Sequence, residues 1–392
     1  HSHTYPGPTL PHGMVQLSPD NGPGELTWDW CGGYHASDST ITGFSHTHIS
    51  GTGVRDLCDI LLMPSTGKTL FTPGAPNKPE EGYRSTFNPK NEKAEANYYS
   101  VYLDEPKVKA ELTATLRCGI HRYQFDEQKD QHIIIDLNHG NNNFAYAAGF
   151  QVINERTIQG YRQVNGWAKD RSIFFYAEFS EPFSNVTASI DEKETGEIKS
   201  GEGKKVILAA NFQKPVKEIT VKVGISMVSE EGAKKNFMAE ANGKTFDQLH
   251  QEGFEYWNKE LARVKIEASP RDKRIFYTSL YHALIVPNIF NDVDGNYRGM
   301  DNQIHNCGKD SHYALFSLWD TYRAAHPLYT IIEPERNEAF VRSLIDKWKK
   351  LGHLPKWELH SNDTYCMIGY HAIPVIADAY MKGMRGYDAE KA

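Results

Sequence analysis

Apolar and polar residues alternate along much of the chain up to about residue 230, which is the pattern of half-buried strands. The alternation is clearest at residues 108–116 and 219–227. Three further apolar runs, bounded by Gly, Asn or Lys, lie at residues 132–140, 171–180 and 204–212. So many strands in one block predict an antiparallel β-sandwich.

The period changes after residue 230, where apolar residues recur at the three- and four-residue spacing of amphipathic helices. Residues 245–267, 276–286 and 337–352 show this spacing, and the last stretch ends at Gly352, a residue type that commonly terminates helices. Strands followed by helices predict a multidomain β-then-α chain and not an alternating α/β fold. We expect a β-sandwich domain, a helical linker and a helical domain over residues 1–232, 233–268 and 269–392.

The composition excludes several classes of function. The 392 residues carry a formal net charge of −7 without a basic stripe, so nucleic acid is not an expected partner. No run approaches the roughly 18 apolar residues of a membrane span. The aromatic share of 12% agrees with a carbohydrate site and equally with an ordinary core. Five cysteines without a CxxC pair indicate neither a zinc knuckle nor a complete disulfide framework: Cys31, Cys58, Cys118, Cys307 and Cys366.

Trp319 and Asp320 stand side by side in "SLWDTYRAAHPL", residues 317–328. A carboxylate beside an aromatic ring suits hexose binding, because the acid accepts hydrogen bonds from adjacent hydroxyls while the ring covers an apolar sugar face. The alternative is a buried tryptophan in a single helix, with Asp320 paired to Arg323 three residues later. Spacing alone favours this structural alternative.

A similar pair, Trp357 and Glu358, lies in "LPKWELHSNDTYCMIGYHAIPVIADAY", residues 354–380. The segment predicts a loop of about ten residues between two helices, with Asp363 as the N-cap of a helix that begins at Thr364. Connections of this length often carry function. Glu358 is equally compatible with a solvated turn.

The stretch "GFSHTHISGTG", residues 43–53, concentrates histidines, hydroxyl residues and glycines. A metal site here would use His46 and His48 with Asp56 or Asp59, joined by a further histidine such as His1, His3 or His35. Hydrogen-bonded loop histidines are the commoner case, and no diagnostic spacing of a third ligand supports the metal.

The two tryptophan motifs and three other stretches together resemble glycoside hydrolase family 92, which consists of α-mannosidases. The five stretches occur in the family's order over essentially the whole chain. The other three are "HTYPGPTLPHGMVQLSPD" at 3–20, "GYHASDSTITGFSHTHISGTGVRDLCDILLMP" at 33–64 and "YRGMD" at 297–301.

The resemblance implies an N-terminal antiparallel β-sandwich packed against a C-terminal (α/α)6 barrel, with the active site in the cleft between them. Family members are exo-acting, Ca²⁺-dependent and inverting: one carboxylic acid protonates the leaving oxygen while a carboxylate activates water. The Ca²⁺ is thought to bind two mannose hydroxyls. The implied partner is a mannose-containing glycan, an N-glycan or a mannan, and the implied location of the full-length protein is secreted, periplasmic or on the cell surface.

The resemblance also implies roles for residues of the helical motifs. Trp319 and Asp320 match the family's "WDT" element, which contacts the terminal mannose, so the preference for the structural alternative reverses. Trp357, Glu358 and Cys366 lie in the second motif, and we expect at least one of them to line the pocket.

In the same context, "GFSHTHISGTG" is interpreted as a sandwich loop, made tight by Gly51 and Gly53. We expect it to present His46, Thr47 and His48 toward the cleft, where they would help to shape the mannose pocket. Ca²⁺ requires oxygen ligands and would not select these imidazoles.

The sequence departs from the family in the motifs that carry catalysis. The family's acid and base lie in motifs similar to "EGNAWQ" and "GNEDCGQMSAW", and neither string occurs here. We therefore expect an internal fragment, truncated at both ends and inactive alone, with N-terminal sandwich strands missing, a partial (α/α)6 domain, and the catalytic residues and most Ca²⁺ ligands beyond Ala392. Smaller departures are Asp363, where "NET" is commoner than "NDT", and His12, where "PFGM" is commoner than "PHGM".

A non-catalytic mannose-binding protein is the main alternative to an α-mannosidase of α-1,2 or related linkage specificity. Another enzyme with a sandwich and an (α/α)6 barrel, such as a glycoside phosphorylase, is a weaker one. The motifs do not determine the linkage or the oligomeric state.

Overall fold

A computed structural model describes residues 3–22, 29–127 and 129–390. The described residues up to 226, here called the sandwich, form eighteen strands. The strands are β1 (Ser18–Asp20), β2 (Thr40–Ile41), β3 (Gly43–Ser45), β4 (Leu61–Ser65), β5 (Ser85–Thr86), β6 (Lys93–Glu95), β7 (Tyr98–Leu103), β8 (Val108–Ala114), β9 (Cys118–Phe125), β10 (Gln131–Asp136), β11 (Phe144–Asn154), β12 (Thr157–Asn165), β13 (Arg171–Phe179), β14 (Asn185–Ile190), β15 (Lys193–Glu194), β16 (Ser200–Gly203), β17 (Val206–Phe212) and β18 (Glu218–Ser226).

Two large antiparallel sheets make up the sandwich. The first has the strand order β1-β3-β4-β10-β17-β14-β15, and the second has the order β16-β11-β12-β13-β18-β9-β8-β7-β6. Ile133 and Leu208 of the first sheet belong to the same buried apolar cluster as Phe175 and Val223 of the second. The predicted antiparallel β-sandwich is therefore confirmed.

The described residues from 230 onward, here called the helical half, contain seven helices and seven short strands. This confirms the predicted change from strands to helices, while the (α/α)6 closure and the domain boundaries stay predictions. The helices are α1 (Glu230–Glu240), α2 (Phe246–Leu261), α3 (Pro270–Ala283), α4 (Leu318–Thr321), α5 (Ala325–Ile332), α6 (Pro334–Leu351) and α7 (Ala372–Met381). The strands are β19 (Asn288–Ile289), β20 (Asn296–Arg298), β21 (Ile304–Asn306), β22 (Tyr313–Ala314), β23 (Phe316–Ser317), β24 (Trp357–Leu359) and β25 (Asn362–Asp363).

The first two helices lie on the sandwich. α1 packs along β18, and α2 packs along β8. Trp257 of α2 is buried and donates its Nε1–H to the carbonyl of Thr9 at 2.8 Å. Because α2 covers β8, the outward-facing Thr113 is buried as well as the inward-facing Leu112. None of the described helices is long and apolar enough to cross a membrane.

The helix predicted through Trp319 and His326 is wrong as a single element. α4 ends at Thr321, and α5 begins at Ala325. Pro327 explains the break, because its ring lacks an N–H to donate to residue 323 and would clash with that carbonyl in a continuous helix. In α5 the proline instead occupies the first turn, where no such hydrogen bond is needed.

The loop predicted around Trp357 is wrong too, since β24 and β25 pair there as a hairpin. The next helix begins at Ala372 and not at Thr364. Asp363 does not cap that helix because its carboxylate accepts backbone N–H groups within the hairpin segment, from Trp357 at 3.2 Å and Tyr365 at 3.0 Å. The carboxylate thus stabilises the tight hairpin. The predicted terminator Gly352 is confirmed, with a left-handed φ of 84° after α6.

A buried charge pair joins the sandwich to the helical half. His12 donates from Nδ1 to the carbonyl of Pro287 at 2.7 Å and from Nε2 to Glu333 Oε2 at 3.0 Å. Burial opposes ionisation of Glu333, but the hydrogen bond and charge of His12 and the charge of Arg336 lower its pKa to about 2.

We expect Glu333→Gln to destabilise the chain by about 3 kcal/mol at neutral pH, because it removes the buried carboxylate that accepts from His12 and pairs with the half-buried Arg336. The carboxyl pKa is about 2 in the folded chain and about 4.3 in the unfolded one. Its contribution to stability is therefore complete above about pH 5 and disappears as the pH falls toward 2. Thermal melts between pH 3 and pH 7 should show a smaller loss of Tm on acidification in the variant. Exposed Glu335→Gln is the control, and parallel pH profiles for wild type and Glu333→Gln would contradict the assignment.

An apolar surface extends along α7 and the segment before it. Ile368 and Met381 are each 80% exposed. Exposed apolar side chains in this number favour association or aggregation of soluble proteins. The surface, called here the α7 surface, comprises Met367, Ile368, Tyr370, Ile373, Tyr380 and Met381.

The α7 surface should bind a hydrophobic dye and promote self-association of the 392-residue chain. The double variant Ile368→Ser, Met381→Lys should lower 1-anilinonaphthalene-8-sulfonate fluorescence and shift size-exclusion elution toward the monomer, with little change in Tm. Phe254→Ser, on the exposed side of α2, is the matched control. Equal dye binding by the double variant and wild type would show that this surface does not cause the association.

Candidate functional site

The two tryptophan motifs meet on one small sheet. Its strand order is β23-β24-β25, and Ser317 pairs with Trp357 while Phe316 pairs with Glu358. α4 begins directly after β23, so the sheet register fixes where the start of that helix lies. Residues 317–328 and 354–380, far apart in sequence, are therefore neighbours in the structure.

Asp320 is exposed on α4, and Trp319 is half-buried beside it. One carboxylate oxygen, Oδ2, accepts a hydrogen bond from Ser317 Oγ at 2.6 Å. The Arg323 guanidinium does not pair with Asp320 but lies 4.8 Å from the centre of the Trp319 ring. The structural alternative of a buried tryptophan with an Asp–Arg pair is thus wrong, and the aspartate is accessible to a ligand.

Trp357 is buried where the helical half meets the sandwich. Its ring centre lies 4.5 Å from that of Trp167, which follows β12. A small apolar cluster surrounds it, with Cys366 packed at the edge. Trp357 and Cys366 therefore hold the β24–β25 hairpin against the sandwich. The buried members of this junction cluster are Ile49, Leu57, Ala168, Leu315, Trp357 and Leu359.

Glu358 is fully buried and serves as an anchor for backbone groups. Its carboxylate accepts the N–H of Leu315 at 2.7 Å and that of Ser361 at 2.6 Å. The Nζ of Lys347, also buried, lies 3.4 Å away, and burial lowers the pKa of this lysine more strongly than Glu358 raises it. The alternative of a solvated turn carboxylate is wrong, and Glu358 faces protein groups on both oxygens.

His46, Thr47 and His48 are all buried, so their expected presentation toward the cleft needs correction. His46 donates from Nδ1 to the carbonyl of Ile60 at 2.7 Å, and its Nε2 lies 3.1 Å from His121 Nε2. Burial lowers the pKa of His46 to about 4, so the ring is neutral at physiological pH. These side chains form hydrogen bonds inside the sandwich and have almost no exposed surface with which to contact a sugar.

Below Thr47 lies a buried group of two aspartates and two arginines. Asp59 accepts from Arg162 NH1 at 2.8 Å and from Arg171 NH1 at 2.7 Å, and Asp56 accepts from Arg171 NH2 at 3.0 Å. Burial opposes ionisation of Asp59, but the two arginines hold its pKa well below the usual range. Asp56 and Asp59 are consequently ion-pair partners, and their alternative role as metal ligands is wrong. We call these four residues the buried ionic network.

Among the described residues, one group of side chains has the spacing of a metal site. Single donor atoms of Asp20, His48 and Cys58 lie within 4.8 Å of one another. Sulfur and imidazole suit a transition metal, whereas Ca²⁺ takes oxygen ligands. The group does not fit the Ca²⁺ that the resemblance implies, and His48 already contacts Asp20 Oδ1 directly at 2.8 Å. His1, another candidate ligand, lies outside the described residues.

A polar cavity of about 300 Å³ opens in the sandwich. Sequence reasoning missed it, although the run of asparagines directly after β10, in residues 138–144, is a signal that could have found it. Polar side chains concentrated at the end of a buried strand indicate a lined cavity more often than a core. Its principal polar and aromatic lining residues are Asp20, Trp30, Arg55, Arg84, His139 and Asn141.

Thr47→Val should destabilise the chain by about 1–3 kcal/mol, because Asp59 loses the hydroxyl that donates to its Oδ2 at 2.7 Å and the buried N–H of Asp59 loses the same hydroxyl as its acceptor at 3.0 Å. Urea denaturation followed by circular dichroism measures this change. Thr220→Val, at a half-buried strand position of the same sandwich, should change the unfolding free energy by less than about 0.5 kcal/mol. Equal effects of the two substitutions would contradict a specific role of Thr47.

Two family models match the chain in sequence. The Glycosyl hydrolase family 92 N-terminal domain matches residues 1–226, and the Glycosyl hydrolase family 92 catalytic domain matches residues 232–392. A curated relative, the "Uncharacterized secreted glycosidase" of Arthroderma benhamiae, is 22% identical over 97% of this chain and 48% of its own length.

Solved structures of the family superimpose closely on the chain. The GH92 α-mannosidase BT3965 from Bacteroides thetaiotaomicron is 38% identical, with a TM-score of 0.95 over 100% of this chain and 54% of that protein. A second structure of BT3965 is a complex with mannoimidazole. The GH92 inverting mannosidase BT2199 from the same organism is 27% identical, with a TM-score of 0.88 over 100% of this chain and 51% of that protein. The chain thus spans about half the length of these relatives, and it belongs to glycosyl hydrolase family 92.

Proposed function

We propose that the protein containing this chain is an exo-acting, inverting α-mannosidase that releases mannose from N-glycans or mannans, with α-1,2 or related linkages as substrates. The observation that supports this most strongly is the 38% identity to an α-mannosidase over the full chain. The mannoimidazole complex of that relative and the inverting mannosidase BT2199 support the same substrate class and stereochemistry. The name of the curated relative supports a secreted, periplasmic or cell-surface location.

In this proposal Asp320 and Trp319 bind the terminal mannose. Asp320 holds one hydrogen bond from Ser317, and its ionised carboxylate has further acceptor sites for adjacent sugar hydroxyls. The Trp319 ring, backed by Arg323, would cover an apolar face of the sugar. Glu358 would act indirectly, because its two backbone hydrogen bonds fix the hairpin that pairs with the strand before α4.

Inversion requires an acid and a base about 6.5–9.5 Å apart, so that a water molecule fits between the base and the sugar. The candidate residues of this chain are assigned to mannose binding and not to the acid or the base. Calcium dependence also stays a prediction, since the one metal-like group among the described side chains offers nitrogen and sulfur together with oxygen.

The full-length protein tests the proposal directly. It should hydrolyse an aryl α-mannoside in preference to the β-mannoside and the α-glucoside, and NMR should detect β-mannose as the first product. Treatment with EDTA should abolish activity, and Ca²⁺ should restore it. Mannose binding without hydrolysis would favour the non-catalytic mannose-binding protein, whereas phosphate-dependent cleavage would favour a glycoside phosphorylase.

Asp320→Asn in the full-length protein should lower kcat/KM for an aryl α-mannoside by about 10- to 100-fold, because the hydroxyls lose a charged acceptor. Its Tm should stay within about 1 °C of wild type, since the exposed carboxylate contributes little to stability. Glu358→Gln is the contrasting control and should lower Tm, because it weakens a buried anchor. A normal kcat/KM in Asp320→Asn would remove this residue from the binding site.

A further inference from the structure

Arg84 is a buried cation without an anionic partner in the part of the chain that the structure describes. The residue is 5% exposed and lines the sandwich cavity. NH1 donates to the carbonyl of Gly22 and to Thr40 Oγ1, both at 3.2 Å, while its buried Nε has no hydrogen-bond partner. Arg162 and Arg171 are buried to a similar degree and also have an unpartnered Nε, but each of them pairs with aspartate through its terminal nitrogens. A buried charge is costly unless it is paired, so the environment of Arg84 is incomplete.

The carboxylates near Arg84 already accept hydrogen bonds from other groups. Asp20 is the one carboxylate among the described lining residues, and its two oxygens accept from His48 and His139 at 2.8 Å each. Burial opposes ionisation of Asp20, but the two histidines lower its pKa, so this carboxylate is already paired. Asp38 acts on Arg84 only at longer range and accepts from Trp30 Nε1 at 2.8 Å.

The rest of the cavity wall adds hydrogen-bond donors and a second arginine. Arg55 lines the same cavity and donates from Nε to Asn141 Oδ1 at 2.6 Å. Asn142 contributes a further amide, and the ring of Phe144, 71% exposed, lies at the rim. The Arg84 guanidinium beside a space of about 300 Å³ matches the planar, charge-assisted recognition of phosphate or carboxylate.

We propose that this cavity is an anion-binding subsite anchored by Arg84, which takes a phosphate or carboxylate group. The ligand is either a small free anion or an acidic substituent on a sugar, since both present the same charged oxygens. Because binding can be measured without turnover, the test of this subsite is separate from the test of mannoside hydrolysis.

Isothermal titration and thermal shift with the 392-residue chain test the proposal, with inorganic phosphate, mannose 6-phosphate and mannose as probes. Phosphate or mannose 6-phosphate should bind and raise Tm, and Arg84→Gln should weaken that binding at least tenfold. Binding of both probes favours a free anion as the ligand, and binding of mannose 6-phosphate alone favours an acidic sugar substituent. Failure of both to bind, or equal binding of mannose and mannose 6-phosphate, would overturn the anion site.

Stability separates a binding role for Arg84 from a structural one. Without multivalent anions, Arg84→Gln should melt at the same temperature as wild type or higher, because it removes an uncompensated buried charge. Arg84→Lys should retain weakened phosphate binding. Arg122→Gln, whose arginine pairs with Glu111 and Asp247, is the control and should leave phosphate affinity unchanged. A lower Tm of Arg84→Gln together with unchanged phosphate affinity would overturn the proposal.

Discussion

The buried ionic network is the constraint on which the sandwich side of the site depends. Two arginines and two aspartates lie almost completely out of water, so each charge must be held by another at fixed geometry. Asp59 also fixes the hydroxyl of Thr47, and Asp56 accepts the N–H of Ala168 at 2.8 Å. Ala168 belongs to the junction cluster around Trp357, and the network is thereby linked to the hairpin of the helical half.

Much of the fold follows from periodicity, because burial on one face selects residues at every second position in a strand and every third or fourth in a helix. The strands at 108–116 and 219–227 and the helix that ends at Gly352 were predicted for this reason. The two wrong element predictions, the single helix through Trp319 and the loop around Trp357, arose where the chemistry of one residue determined the local structure. Pro327 divides a segment whose apolar spacing reads as one helix, and Asp363 caps a hairpin although its residue type equally suits a helix start.

The site was harder to predict, because a polar residue type does not reveal whether its partner is water, ligand or protein. Asp320 and Glu358 both follow a tryptophan, yet one is exposed and the other binds two backbone N–H groups. The histidines of residues 43–53 have buried partners at distant positions such as His121, which no local spacing encodes. The cavity around Arg84 is lined by residues scattered between positions 20 and 144, and only the asparagine run is a trace of it in the sequence.

The single turn of α4 has a consequence for how this surface can diverge. The first residue of α4 follows strand β23 directly, and three residues separate its last residue from α5. The pairing of β23 with β24 therefore fixes the position of Asp320, and no long helix contributes to it. Changes in the length or tilt of α5 can therefore be absorbed in the three residues between the helices. The position of Asp320 is therefore set independently of α5, and the chain between the two helices can change without moving this carboxylate.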